Sequence, residues 1–284
     1  MRTFAGIEEE YAEYDSSQVL LQSIPYDGTS TWGKGADKGF TAFLDAADNM
    51  ELFDIETDSE IFTRGINIIP AITEERSPEE VFNAVYSSTK ELLNTGKFLT
   101  FFGGEHSVSI GIIKAFYEKF ENMTVLHLDA HADLRKTYHD SPYNHACAVH
   151  DASKNTNLIQ VGIRSMDSSE LEYINRDKCY FAEEIYGKND WIDKSISQMT
   201  NDVYITLDLD VFDPSIMPST GTPEPGGLLW NTTIKYLKKV FTEKNVIGFD
   251  IVELAPLKDY KAADFLAAKL YYKMLSYKFA YNGK

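Results

Sequence analysis

The sequence predicts an α/β domain built on a mostly parallel central sheet. Short apolar runs alternate with longer amphipathic segments along the chain, no Pro/Gly/Ser-rich linker or internal repeat interrupts them, and several runs end in polar clusters of one chemical kind. Strands separated by helices pair in parallel through right-handed crossovers, and such sheets take ligands beyond the carboxyl ends of their strands. At 284 residues the chain has room for one domain or two, and with no boundary visible 1–284 reads as one.

The first strand spans 18–24, where Val19, Leu20, Leu21 and Ile24 make a short apolar run. A helix over 78–94 opens on Ser77-Pro78-Glu79-Glu80, which combines a capping serine, proline at the first helical position and acids in the first turn. Gly96 ends it. Strand 98–102 leads to helix 109–120, and strands 125–129 and 158–162 follow. Helix 189–199, strand 203–208, helix 232–243, strand 246–251 and helix 259–277 complete the series, the helices carrying apolar residues at helical spacing.

Composition narrows the function. With 43% hydrophobic residues the chain can bury a large core, so it is not a disordered polymer. Two cysteines, Cys147 and Cys179, are too few for a disulfide framework and suit a reducing, cytoplasmic setting. No apolar stretch is long enough to span a membrane, and the start, Met1-Arg2-Thr3 followed by Glu8-Glu9-Glu10, is not a signal peptide. A net charge of −17 repels phosphate backbones, so nucleic acid is not expected as a partner, whereas small cations are welcome.

The chemistry lies at the strand ends. Strand 98–102 runs into Gly103-Gly104-Glu105-His106, where two glycines permit a tight turn that presents His106. Strand 125–129 runs into Asp129-Ala130-His131-Ala132-Asp133, whose alternation points Asp129, His131 and Asp133 to one side if the backbone stays extended. Strand 203–208 ends in Asp208-Leu209-Asp210, which share a face on the same reasoning. Aspartates at the ends of buried strands are costly without a compensating cation, and neither cluster contains Lys or Arg. Four carboxylates and two imidazoles form an oxygen and nitrogen set that suits Mn²⁺ better than the thiolate sites of structural zinc, and two ions sharing carboxylates would use all six residues.

These motifs resemble the ureohydrolases, the family of arginase, agmatinase, guanidinobutyrase and formiminoglutamase. The resemblance also covers Ile24-Pro25-Tyr26-Asp27-Gly28, the stretch from Asp208 to Pro214, and Asp250-Ile251-Val252-Glu253-Leu254-Ala255-Pro256. It implies a single three-layer α/β/α domain, two Mn²⁺ per chain and assembly into trimers or hexamers. Asp129 and Asp208 would bridge the ions, His106 and Asp133 would complete one ligand shell, and His131 and Asp210 the other. It also implies that Glu253 holds a planar guanidinium through paired hydrogen bonds. Glu105 stands where some relatives have Asp, a change that touches no ligand.

The expected reaction is hydrolysis of a guanidino compound with release of urea, for which a metal pair would supply an activated water. Asp133 would pass that water's proton to the leaving amine. His145, in Ser141-Pro142-Tyr143-Asn144-His145-Ala146-Cys147, resembles the catalytic histidine of the agmatinase loop, the alternative being an ordinary loop residue. His127 reads as structural, and Cys147 has no necessary catalytic part. Agmatine is the expected substrate, because the 134–145 segment looks agmatinase-like and Arg135 and Lys136 are expected to face solvent. Arginase, guanidinobutyrase or formiminoglutamase activity, a mononuclear zinc deacetylase and a non-catalytic metal-binding scaffold are the competing readings.

Overall fold

The computed structural model describes residues 2–282, so residues 1, 283 and 284 of the expected 1–284 domain lie outside the described residues. In chain order the strands are β1 Val19–Ile24, β2 Ile66–Ile69, β3 Phe98–Gly103, β4 Thr124–Leu128, β5 Asn157–Val161, β6 Cys179–Tyr180, β7 Asp202–Asp208 and β8 Asn245–Val252. The helices are α1 Gly39–Ala47, α2 Pro78–Leu92, α3 Val108–Lys119, α4 His150–Asn155, α5 Ala182–Ile185, α6 Asp190–Ser197, α7 Trp230–Glu243 and α8 Lys261–Tyr281.

All eight strands form one sheet in the order β2-β1-β3-β8-β7-β4-β5-β6, and every pairing is parallel. Helices cover both faces, with α1, α6, α7 and α8 contributing to one apolar cluster and α2, α3 and α4 to the other. This is the expected three-layer α/β/α arrangement. Phe43 of α1 stacks on Phe102 of β3 at 4.3 Å between ring centroids, while on the opposite face Phe116 of α3 packs on Tyr204 of β7 at 4.5 Å. Such buried aromatic pairs fasten each helical layer to the sheet.

The strand order explains where the site forms. β3 and β4 are consecutive in this part of the chain, but β8 and β7 lie between them. The crevice at that reversal is where open α/β sheets bind ligands. Phe102, Ile251, Leu207 and Leu128 are in register across β3, β8, β7 and β4, and all are fully buried. The residues that follow them therefore leave the sheet at one level, side by side.

Several elements depart from expectation. β2 and β6 were not foreseen, being an edge strand of four residues and a strand of two, too short to show alternation. α1, α4 and α5 were missed as well, the last two having six and four residues. α8 runs 21 residues to Tyr281 and buries Leu270, Tyr271, Tyr272, Met274, Leu275 and Tyr277, so it is apolar around most of its girth and carries little amphipathic signal.

Candidate metal centre and active site

The Gly103-Gly104 turn works by space rather than by backbone freedom. A Cβ on Gly104 would stand 1.9 Å from the Tyr26 carbonyl oxygen, and neither glycine has positive φ. The close approach lets Gly104 N–H donate to Ile24 O at 2.7 Å and Glu105 N–H to Tyr26 O at 2.8 Å. His106 is thereby fixed at the sheet's edge, 1% exposed.

The Asp129–Asp133 segment does not stay extended. β4 ends at Leu128, and Asp133 takes the left-handed conformation with φ 50°. That turn, not strand alternation, carries Asp133 Oδ2 to 3.2 Å from His106 Nδ1. Asp210 likewise arrives through a 3₁₀ turn over Leu209–Val211, capped by Asp208, whose Oδ1 accepts from Asp210 N–H at 2.7 Å. The residues were legible in the sequence, but the local geometry assigned to them was not.

Two adjoining groups result, and both include Asp129. His106 Nδ1 lies 3.0 Å from Asp129 Oδ2, 3.2 Å from Asp133 Oδ2 and 3.4 Å from Asp208 Oδ2. His131 Nδ1 lies 2.9 Å from Asp210 Oδ2 and 3.5 Å from Asp129 Oδ1. Asp129 thus turns one oxygen to each histidine. His106 Nδ1 is buried among three carboxylates yet is aligned for a hydrogen bond with none of them. A buried nitrogen lone pair surrounded by oxygens without hydrogen-bond alignment is the donor geometry a cation satisfies.

The tautomer of His106 follows from its neighbours. Tyr204 O–H and Ser109 O–H donate to the fully buried Asp250, and Thr206 O–H does so at 2.7 Å. With that proton committed, Thr206 Oγ1 accepts from His106 Nε2–H at 3.0 Å, leaving Nδ1 unprotonated. His127, expected to be structural, has a similar part, though the sequence did not name its partners. Gln160 Nε2 donates to His127 Nδ1 at 3.0 Å, so His127 Nε2–H donates to Asp129 Oδ2 at 2.7 Å and orients that carboxylate. The one available sequence signal was a polar pair, His127 and Thr206, at matching register positions of two otherwise apolar strands.

Electrostatics point the same way. Burial first, then repulsion from Asp210 and Asp129, holds the Asp208 carboxyl well above the usual range, and burial raises Asp210 and Glu253 too. Burial opposes ionisation of Asp129, but the neighbouring His127, which donates to its Oδ2, outweighs it and holds Asp129 well below. So many converging carboxylates are stable together only with positive charge among them.

Beside this cluster lies a cavity of about 260 Å³ lined by His131, Asp133, His145, Arg135, Tyr138 and Glu170, among others. The structure therefore brings His145 to the metal-ligand candidates. Thr29 Oγ1 accepts from His145 N–H at 3.0 Å and meets its Nδ1 at 3.1 Å, so Nε2 is the free ring nitrogen. Glu253 approaches from the other side with φ 67°, its Oε1 accepting from His106 N–H at 2.9 Å. Its Oε2 faces Gly221, where an added Cβ would stand 3.4 Å away. Arg135 departs from expectation: it lines the cavity and is only partly exposed, stacked on Tyr138 at 4.6 Å and 3.4 Å from Asp167. Lys136 is exposed as expected.

Comparison with known proteins gives the same picture. Residues 17–276 match the sequence model described as the arginase family. The N(1)-aminopropylagmatine ureohydrolases of Synechocystis sp. and of a Thermus thermophilus strain are 32% and 34% identical to it, each over 95% of this chain and over 92% and 93% of their own. The crystal structure of agmatine ureohydrolase of Thermoplasma volcanium superposes with a TM-score of 0.85 at 28% identity, over 95% of this chain and 93% of that one.

Proposed function

Because the chain belongs to the arginase family and is an agmatinase-like hydrolase of guanidino compounds, we propose that it releases urea from agmatine, with two Mn²⁺ ions held by His106, Asp129, His131, Asp133, Asp208 and Asp210. The observation that carries this reading is Asp129 between the two imidazoles, one oxygen toward His106 Nδ1 and the other toward His131 Nδ1. In this reading His106 and Asp133 serve one ion, His131 and Asp210 the other, and Asp129 and Asp208 both. The oxygen-rich set favours Mn²⁺ over zinc and argues against a mononuclear zinc deacetylase. Retention of all six residues argues against a scaffold that has lost its chemistry.

Such an ion pair, when bound, supplies a nucleophilic water at neutral pH. In this reading Glu253 would receive the guanidinium on Oε2 while Oε1 stays on His106 N–H. Asp133 would carry a proton toward the leaving amine, and His145 Nε2 would be the second proton carrier at the same cavity. Arg135 pairs with Asp167 at 3.4 Å, which reduces what it offers a substrate carboxylate. That favours agmatine, which has no carboxylate, over arginine. The names of the relatives from Synechocystis and Thermus favour a second reading, in which the amine end of agmatine carries an aminopropyl group.

The domain is read as a single catalytic unit, assembling as a trimer or hexamer. The two buried, unpaired cysteines fit the reducing cytoplasm, and no described helix is long and apolar enough to cross a membrane. One comparison tests the function: kcat/KM for agmatine, N1-aminopropylagmatine, arginine, guanidinobutyrate and formiminoglutamate, with metal analysis on the same sample. Agmatine or its aminopropyl derivative should lead, with about two Mn²⁺ per chain. Preference for any of the other three overturns the substrate, and turnover in verified metal-free protein overturns the chemistry.

A further inference from the structure

Behind the segment that carries Asp133 and His145 lies a second cavity, of about 430 Å³, which the proposed reaction does not use. The segment's residues divide between the two cavities: Arg135, Tyr138, His145 and Ala146 line the first, while Lys136, Thr137, Tyr143 and Cys147 line the second. α2, α3 and α4 supply the rest of its wall.

Its charge is opposite to that of the protein. Lys114, Lys136 and Lys154 line it against a single carboxylate, Asp151, in a chain of net charge −17. Asp151 is occupied by Tyr117 O–H at 2.6 Å, and Glu118, which also pairs with Lys90, reaches Lys114 alone of the three lysines, at 3.4 Å. Lys136 makes no ion pair or side-chain hydrogen bond among the described residues. Phe82, Ile110 and Tyr143 give the cavity an apolar side, with Phe82 and Tyr143 stacked at 4.4 Å.

His150 makes this more than a set of surface lysines. It is 8% exposed, and its Nδ1–H donates to Leu134 O at 2.8 Å. Its Nε2 therefore accepts from the Lys154 ammonium, 2.6 Å away, which fixes one N–H of that ammonium and leaves two for a ligand. The same backbone is tied to the catalytic segment, since Val149 N–H donates to Asp133 O at 3.2 Å and Arg135 N–H to Ala146 O at 3.0 Å.

We propose that this cavity binds a small organic dianion, a dicarboxylate or a phosphate ester with an apolar flank, and that its occupancy is felt at the Asp133 segment. The acidic groups bridge Lys136 and Lys154, and the apolar flank lies on Phe82 and Tyr143. An anion on the two free N–H groups of Lys154 pulls on the ammonium that His150 Nε2 also holds, and His150 holds the Leu134 carbonyl next to Asp133.

Calorimetry on the manganese-loaded enzyme at constant ionic strength tests the site, with succinate and inorganic phosphate as separate probes. Saturable binding at millimolar concentration is expected for at least one probe, and the difference between them separates a carboxylate from a phosphate ligand. The double variant K136Q/K154Q should bind that probe about tenfold more weakly or not at all. Absence of saturable binding, or equal binding by wild type and variant as for an anion seated at the metal centre, overturns the site. The coupling rests on the proposed reaction and is read separately, as a shift of at least about twofold in KM or kcat over the same concentration range, absent in the variant. Binding without that shift overturns the coupling alone. Because calorimetry needs no turnover, failure of the proposed function leaves the binding result standing.

Discussion

A histidine can hold a cation only through an unprotonated nitrogen, and for His106 the choice is made by Thr206, whose hydroxyl gives its proton to Asp250 and so accepts from Nε2–H. Thr206→Val keeps the shape and removes the acceptor, freeing the tautomer, so Mn²⁺ affinity should fall by about 10- to 100-fold. Chelator competition measures this without turnover, and unchanged affinity would show that the ring needs no such control. Glu253→Gln leaves an acceptor for His106 N–H but removes the charge facing the guanidinium. Its kcat/KM should drop by at least about tenfold, or about 1.4 kcal/mol, with metal content retained, and a loss under about twofold would exclude the grip. The ligand candidates were legible because residue types alone betray them, three polar clusters each following an apolar run. The parts of Asp250, Thr206 and Gln160 were not, and His127 was read only as structural, since a polar residue inside a strand shows its partner only after neighbouring strands are in register. The left-handed turns at Asp133 and Glu253 were hidden too, because glutamate does not favour positive φ and aspartate, though enriched there, adopts it too rarely to mark one position.

Elements whose signals are local were read correctly. Ser77 Oγ accepts from Glu80 N–H at 3.2 Å with Pro78 in the first turn, and Gly96 turns left-handed at φ 71° after the helix. Ser77→Ala should cost about 1 kcal/mol of stability and leave the kinetics unchanged. The long reach of α8 depends on contacts far away in sequence. Its Lys273, whose side chain is 10% exposed, lies 3.0 Å from the buried Asp54 and also pairs with Glu56. Tyr277 O–H donates to Glu56 at 2.6 Å and Lys238 at 2.9 Å, tying the 51–60 loop to α7 and α8. Lys273→Met strands a buried carboxylate and should cost about 3 kcal/mol, measured by urea unfolding. Burial opposes ionisation of Glu56, but the hydrogen bonds from Lys273, Tyr277 and Lys238 outweigh it and hold the carboxyl at about 2. A depressed folded value means stability present above the unfolded value of 4.5 and lost as pH falls toward about 2. The variant's acid limb should therefore be shallower across that window, and an unchanged slope would place the acid sensitivity elsewhere.

At the scale of the whole molecule the parallel sheet was predictable from alternation, but the order β3-β8-β7-β4 was not, because nothing in a strand's own sequence names its neighbours. That order gathers four strand ends at one crevice, in a chain of strongly negative net charge. A net charge of −17 makes a field that concentrates cations, weakened as salt shortens its range to about 10 Å at 0.1 M. Agmatine near neutral pH carries a guanidinium and an ammonium, whereas guanidinobutyrate is a zwitterion with no net charge. The same active-site residues meet the same guanidinium in both, so a difference in salt dependence reports the field acting on the tail. Raising ionic strength from about 0.02 to about 0.2 M should lower kcat/KM severalfold for agmatine and little for guanidinobutyrate. Parallel measurements at fixed Mn²⁺ activity decide the matter. Equal salt slopes would mean that the acidic surface serves solubility and leaves substrate choice to the cavity, whereas a steeper slope for guanidinobutyrate would mean that Arg135, despite Asp167, draws the carboxylate.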